Sequence, residues 1–128
     1  MSKIIKRLPD SELEIMMIIW ESNEPVTSAY VSEKLKDKKE WKITSVLTFL
    51  ARLVEKGFVA STRKGKINIY SAVISEQEYL ESESKTFLEK LYGNSIITFV
   101  SSLYKSNAIS DKDLAELRKF IDKETKGE

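Results

Sequence analysis

Thr44-Ser45-Val46-Leu47-Thr48-Phe49-Leu50-Ala51-Arg52-Leu53-Val54-Glu55-Lys56, then Gly57, then Phe58-Val59-Ala60-Ser61-Thr62-Arg63-Lys64-Gly65-Lys66-Ile67-Asn68-Ile69-Tyr70-Ser71-Ala72, is the stretch in which the chain changes period. Up to Lys56 the apolar residues recur at helical spacing: Val46, Leu47, Leu50, Leu53 and Val54 make a face to bury, and Thr44, Ser45, Thr48, Arg52 and Lys56 occupy the other. Gly57 stands where a left-handed helix cap is wanted. Beyond it the period becomes strand-like. Phe58 to Thr62 and Ile67 to Ala72 are β-prone runs, and Arg63-Lys64-Gly65-Lys66 between them reads as the connection of a hairpin.

Working back from that stretch, Pro9-Asp10-Ser11 announces an earlier helix with Asp10 or Ser11 as its N-cap, Glu12 and Glu14 near the positive end of the dipole, and an apolar stripe of Leu13, Met16, Met17 and Trp20. Ser22-Asn23-Glu24-Pro25 breaks it. Thr27 then caps a short helix to about Lys36 that carries Val31 and Leu35, and a charged loop, Lys36 to Glu40, follows. Three helices and a hairpin with a basic tip is the order of a winged helix-turn-helix, in which the third helix enters the major groove and the hairpin tip lies along the backbone. The alternative is a small α+β domain that meets no nucleic acid.

Charge weighs between the two. The 128 residues carry a net charge of only +1. Split at Ala72, the first part holds 13 Lys/Arg against 9 Asp/Glu and the second 8 against 11, so the halves differ in sign. Lys34 to Lys66 alone holds ten basic residues against three acidic ones, the footprint of a face that binds a polyanion or of a solvated lysine-rich surface. The excess falls on the third helix and the hairpin tip, which a winged helix turns towards DNA. Lys42, Thr44, Ser45, Thr48 and Arg52 on the helix, with Arg63, Lys64 and Lys66 on the hairpin, are the candidate DNA contacts.

Composition narrows the remaining classes. At 41% apolar and 32% charged, with four Gly and two Pro, the chain reads as helix-rich and globular. No stretch approaches a membrane span and no signal-peptide core is visible, so no membrane insertion and a cytoplasmic location are expected. Cysteine and histidine are absent, which removes disulfides, thiolate nucleophiles, imidazole acid-base work and nearly every site for a transition metal. There is no Walker-type run and no GxGxxG. No enzymatic activity, cofactor or metal is expected; a hydrolase running on carboxylates such as Glu81 and Glu83 is the weaker account of a solvated helix face.

The acidic half begins with Ser75-Glu76-Gln77-Glu78, a capping box that starts a helix to about Tyr92, stopped by Gly93-Asn94. A second helix spans Ser95 to about Lys105, and a third begins at Ser110-Asp111-Lys112-Asp113. These helices present more apolar surface than three short helices can hide. Leu80, Phe87, Leu91, Tyr92, Phe99, Val100, Leu103, Leu114, Leu117 and Ile121 are the candidate contacts of a homodimer, the other possibility being that they pack back on the first half. The expected architecture is mostly α, an N-terminal winged helix-turn-helix over residues 1–73 with a C-terminal three-helix dimerisation segment over 74–128.

The order Leu8-Pro9-Asp10-Ser11-Glu12-Leu13-Glu14-Ile15-Met16, Ile18-Ile19-Trp20, Trp41, Val46, Thr48, Leu50, Arg52-Leu53-Val54 and Lys56-Gly57-Phe58 resembles the penicillinase repressors of the BlaI/MecI type. The likeness continues through Tyr70, Ser84-Lys85, Phe87-Leu88, Leu91-Tyr92, Leu114 and Glu116-Leu117-Arg118. The resemblance implies a homodimeric transcriptional repressor on a palindromic operator of double-stranded DNA, often of β-lactam or other antibiotic-resistance genes. It also implies release when a membrane sensor-protease system leads to cleavage in the dimerisation segment. Thr48 and Arg52 match recognition-helix positions of the family. The helix entrance departs from the family's usual Ser-Pro-Lys-Thr, reading Lys42-Ile43-Thr44-Ser45, and the bond matching the cleavage site is Thr98 to Phe99. The copper-responsive branch carries a Cys-x-Cys tail that a chain without cysteine cannot have. Two other regulators stay in view: a ligand-sensing winged-helix protein of the multidrug-resistance type, and a protein-interaction adaptor on the same scaffold.

Overall fold

The computed structural model describes residues 5–126. Its elements are α1 (Asp10–Ser22), α2 (Ser28–Leu35), α3 (Ile43–Glu55), β1 (Val59–Lys64), β2 (Ile67–Ala72), α4 (Glu76–Tyr92), α5 (Ile96–Lys105) and α6 (Asp111–Thr125). The expected fold class, helices with a small antiparallel hairpin in winged-helix order, is what the chain adopts. By contacts the chain divides into two compact units, Met1–Glu83 and Ser84–Glu128, so the first two turns of α4 belong with the three helices and the hairpin.

In the first unit each element ends where its residues dictate. Asn23, at φ 60, closes α1 in the left-handed region that asparagine tolerates. Thr27 accepts the Tyr30 amide at 3.1 Å and caps α2. Gly57, at φ 82, ends α3 in a Schellman motif: its amide donates to the Val54 carbonyl at 3.0 Å and the Phe58 amide to that of Leu53 at 2.9 Å, with Leu53 and Phe58 both buried. β1 and β2 pair antiparallel from Val59↔Ala72 to Lys64↔Ile67. On the other edge of β2, Val26 exchanges both backbone bonds with Tyr70, at 2.9 and 2.7 Å, and adds a one-residue third strand.

Three expectations are corrected here. Pro9 occupies the N-cap position of α1, and no side chain caps that end, so neither Asp10 nor Ser11 does this. The hairpin is tighter than a four-residue connection. Arg63 and Lys64 pair with Asn68 and Ile67 as strand, because Gly65, at φ 65, turns the chain in two residues where a side chain would be strained. On α3 the buried stripe is narrower than its apolar sequence: Val46, Leu50 and Leu53 are fully buried, while Leu47 and Val54 are exposed.

Every fully buried apolar side chain among the described residues lies between Leu8 and Tyr79. Tyr79 of α4 is part of that core. Its ring lies 5.7 Å from those of both Trp20 and Phe58, and its hydroxyl accepts the Leu8 amide at 2.9 Å. Trp20 in turn donates its indole N–H to the Ile74 carbonyl at 2.9 Å. The segment after β2 thus completes the core instead of leaving it.

The second unit is built from the end of α4 with α5 and α6. Ser95 caps α5, and Ser110 with Asp113 forms the capping box of α6. The rings of Phe87, Tyr92 and Phe99 stand 5.2 to 5.9 Å apart and hold α5 against the end of α4. Tyr104 donates to Asp111 at 2.7 Å across the α5–α6 turn, and the carboxylate beside it holds the phenol above its ordinary pKa of 10.0. Among the described residues no helix is long and apolar enough to cross a membrane.

Candidate nucleic-acid interface

With Val46, Leu50 and Leu53 sealed against α1 and α2, α3 turns Thr44, Leu47, Thr48, Ala51 and Arg52 outward. Lys42 occupies the N-cap position and is exposed; Ser45 is half-buried. The Thr48 hydroxyl donates to the Thr44 carbonyl one turn back at 2.9 Å, so its proton is already used and it is left as an acceptor. Arg52 lies with its guanidinium 5.8 Å from the centre of the Phe49 ring, which itself packs 5.2 Å from Trp41. An aromatic pair therefore backs the cationic group on the outward face of α3.

The hairpin supplies the second set. Arg63, Lys64 and Lys66 are exposed at its tip, with Arg63 Nε donating back to the Gly65 carbonyl at 3.3 Å. Helix and hairpin are connected by an open groove whose walls are Leu47 of α3, Thr27, Ser28 and Ala29 at the start of α2, and Lys66, Ile67, Asn68 and Tyr70 of the hairpin. All eight candidate DNA contacts thus sit on α3 and the hairpin tip of a single compact unit.

Lys56 does not join them. Its ammonium pairs with Glu12, whose carboxylate is almost wholly buried, so the last basic residue of the α3 region, itself still partly solvated, is engaged in an ion pair. Helical spacing placed Lys56 with Arg52; the buried acid on α1 pulls it inward. Leu47 and Ile67 are the converse, aliphatic residues that the fold leaves outward. Only the absence of a facing apolar partner separates them from core residues, and periodicity within one helix or strand does not carry that signal.

The candidate self-association residues fall differently. Leu80 is exposed in the first unit, and Phe87, Leu91, Tyr92, Phe99, Val100, Leu103, Leu114, Leu117 and Ile121 lie in the second. Phe99 packs within its own chain on Phe87 and Tyr92, whereas Leu91 and Ile121 stand out to solvent. Ile96, Ile97 and Phe120 are outward too, Ile97 at 80% exposure. The Thr98–Phe99 bond lies in the first turn of α5. There the Thr98 amide is capped by Ser95 at 3.2 Å, and its carbonyl accepts from Ser102 at 2.9 Å.

Three helices closed by a cationic hairpin, with a basic outward face on the third helix, define a winged-helix protein of the DNA-binding class. The chain belongs to the penicillinase repressor family, whose model matches residues 8–123, a family of DNA-binding transcriptional repressors and not of enzymes. It is 28% identical over 120 residues to the penicillinase repressor of Bacillus licheniformis, covering 94% of this chain and 93% of that one. It is 26% identical over 116 residues to the methicillin resistance regulatory protein MecI of Staphylococcus aureus, covering 91% and 94%. Among solved structures, the monomeric form of Bacillus licheniformis BlaI in complex with the blaP half-operator matches with a TM-score of 0.51 at 29% identity, over 61% of this chain and 94% of that one.

Proposed function

We propose that this chain is a homodimeric repressor that occupies a two-fold symmetric DNA operator from the cytoplasm. α3 would sit in the major groove, and Arg63, Lys64 and Lys66 would lie on the flanking phosphates. The observation that carries this reading is the placement of Lys42, Thr44, Ser45, Thr48 and Arg52 on α3 beside a cationic hairpin tip, together with the likeness to Bacillus licheniformis BlaI in complex with a half-operator. Phosphate contacts give affinity and register, and contacts to base edges from α3 give sequence preference. Neutralising any one wing cation should lower the salt slope of binding by about one without altering the preferred site.

The names of the relatives, a penicillinase repressor and a methicillin resistance regulator, suggest antibiotic-resistance genes as the target. Residues 74–128 would supply the dimer contact through the apolar set from Leu80 to Ile121. Relief of repression would follow when a membrane sensor-protease pathway leads to cleavage between Thr98 and Phe99. The experiment is selection of bound duplexes from genomic fragments, followed by sedimentation on the enriched site. Two chains on a two-fold repeat is the expected result. One chain bound to a half-site as tightly as to the full site would overturn the dimeric reading.

A further inference from the structure

The outward face of α3 is poor in the groups that usually read bases through paired hydrogen bonds. Of its five outward residues, Thr44, Leu47, Thr48 and Ala51 carry no amide, guanidinium or ammonium, and Arg52 alone does. The Thr48 hydroxyl proton is already committed to the Thr44 carbonyl. What this face does offer is methyl groups. Leu47 is 42% exposed although Val46, Leu50 and Leu53 on the same helix are fully buried, and across the groove Ile67 of the hairpin is 53% exposed. Ala29 lines the same groove, with Thr27, Ser28, Lys66 and Asn68 around it. A duplex laid on Lys42, Arg52 and the wing cations would bring base edges, not phosphates, against this apolar strip.

In the major groove one base edge alone is apolar, the C5-methyl of thymine. We infer that Leu47 is a specificity-determining residue that reads a thymine methyl, so that the operator half-site requires A·T at the base pair Leu47 covers. The inference rests on the operator reading above and deepens it. Contact with a leucine side chain removes the methyl from water, and one buried methyl-sized group is worth roughly a fourfold change in affinity per half-site.

The test uses the full-length chain and a duplex selected from a random library, with each thymine of the half-site replaced in turn by deoxyuridine, which removes only the methyl. Wild type should lose about fourfold at one position, and Leu47→Ala should bind the thymine and uracil duplexes equally at that position, with its unfolding midpoint unchanged because the side chain is exposed. Leu47→Met keeps an apolar contact and should restore the discrimination. A wild-type chain indifferent to every methyl, or a Leu47→Ala chain that keeps the wild-type ratio, would overturn the inference while leaving DNA binding intact. Failure of any duplex to enrich would instead overturn the operator reading, and this inference with it.

Discussion

The two units of this chain solve the same problem in opposite ways. The first, up to Glu83, holds a fully buried apolar core that runs from Leu8 to Tyr79, and seals even a carboxylate, Glu12, against Lys56. In the second, no described side chain from Ser84 onward is fully buried, although its helices carry three Phe, two Tyr and a series of Leu and Ile. Its three packed rings at Phe87, Tyr92 and Phe99 form a cluster without a roof. The first unit can therefore be stable on its own chemistry, whereas the second has apolar surface to spare, as expected of a segment completed by another copy.

Truncation after Thr98 should have the greatest effect. We expect residues 1–98 to fold, because the core and Tyr79 are intact, yet to lose operator affinity by orders of magnitude as the second half-site becomes an independent event. Gel-shift titration against full-length protein measures this, and equal affinity would mean that the second unit is not what holds two chains together. Next come substitutions that open the closed core. Lys56→Ala strands Glu12 in an apolar setting and should cost about 3 kcal/mol in urea unfolding, the low end for a broken buried pair because Lys56 is partly solvated. Tyr79→Phe, which leaves the Leu8 amide without its acceptor, should cost about 1 to 3 kcal/mol.

A charge placed on the open unit should act on association and not on stability. Ile97→Glu touches a side chain that solvent already reaches, so the stability of the first unit should change by less than about 0.5 kcal/mol. If a second copy covers that position, the same change should move the sedimentation profile towards monomer at concentrations where the parent is dimeric. The smallest effect is a pH dependence confined to the α5–α6 turn. Tyr104 has its pKa raised by Asp111, so the stabilisation is fully present below pH 10 and disappears as pH rises through the folded-state value. Ultraviolet titration of the phenols should show the Tyr104 transition move down in Asp111→Asn.

Much of this was legible from residues 42–72 alone, because a switch from helical to alternating period around a glycine is a local signal. The order of elements, the α4 capping box and the outward placement of Thr44, Thr48 and Arg52 on α3 came from such signals. What escaped were pairings between distant residues. Lys56 and Arg52 are indistinguishable on a helical wheel until the acid at position 12 is known to face one of them. Tyr79 lies in a helix rich in charged residues, and only its ring contacts with Trp20 and Phe58 explain its burial. Likewise, Leu47 matches its buried neighbours in type and is told apart by what stands opposite.

One feature of α5 bears on timing. Peptidases bind substrates in extended form, but the Thr98 amide and carbonyl are both engaged within the first helical turn, by Ser95 and Ser102. The bond between Thr98 and Phe99 is therefore presented only during the fraction of time that this turn is unwound, and with fast reclosure the cleavage rate scales with that fraction. If this is where the repressor is cut, the hydroxyls of two serines set its lifetime once the signal has arrived. They would do so without touching either DNA or the protease.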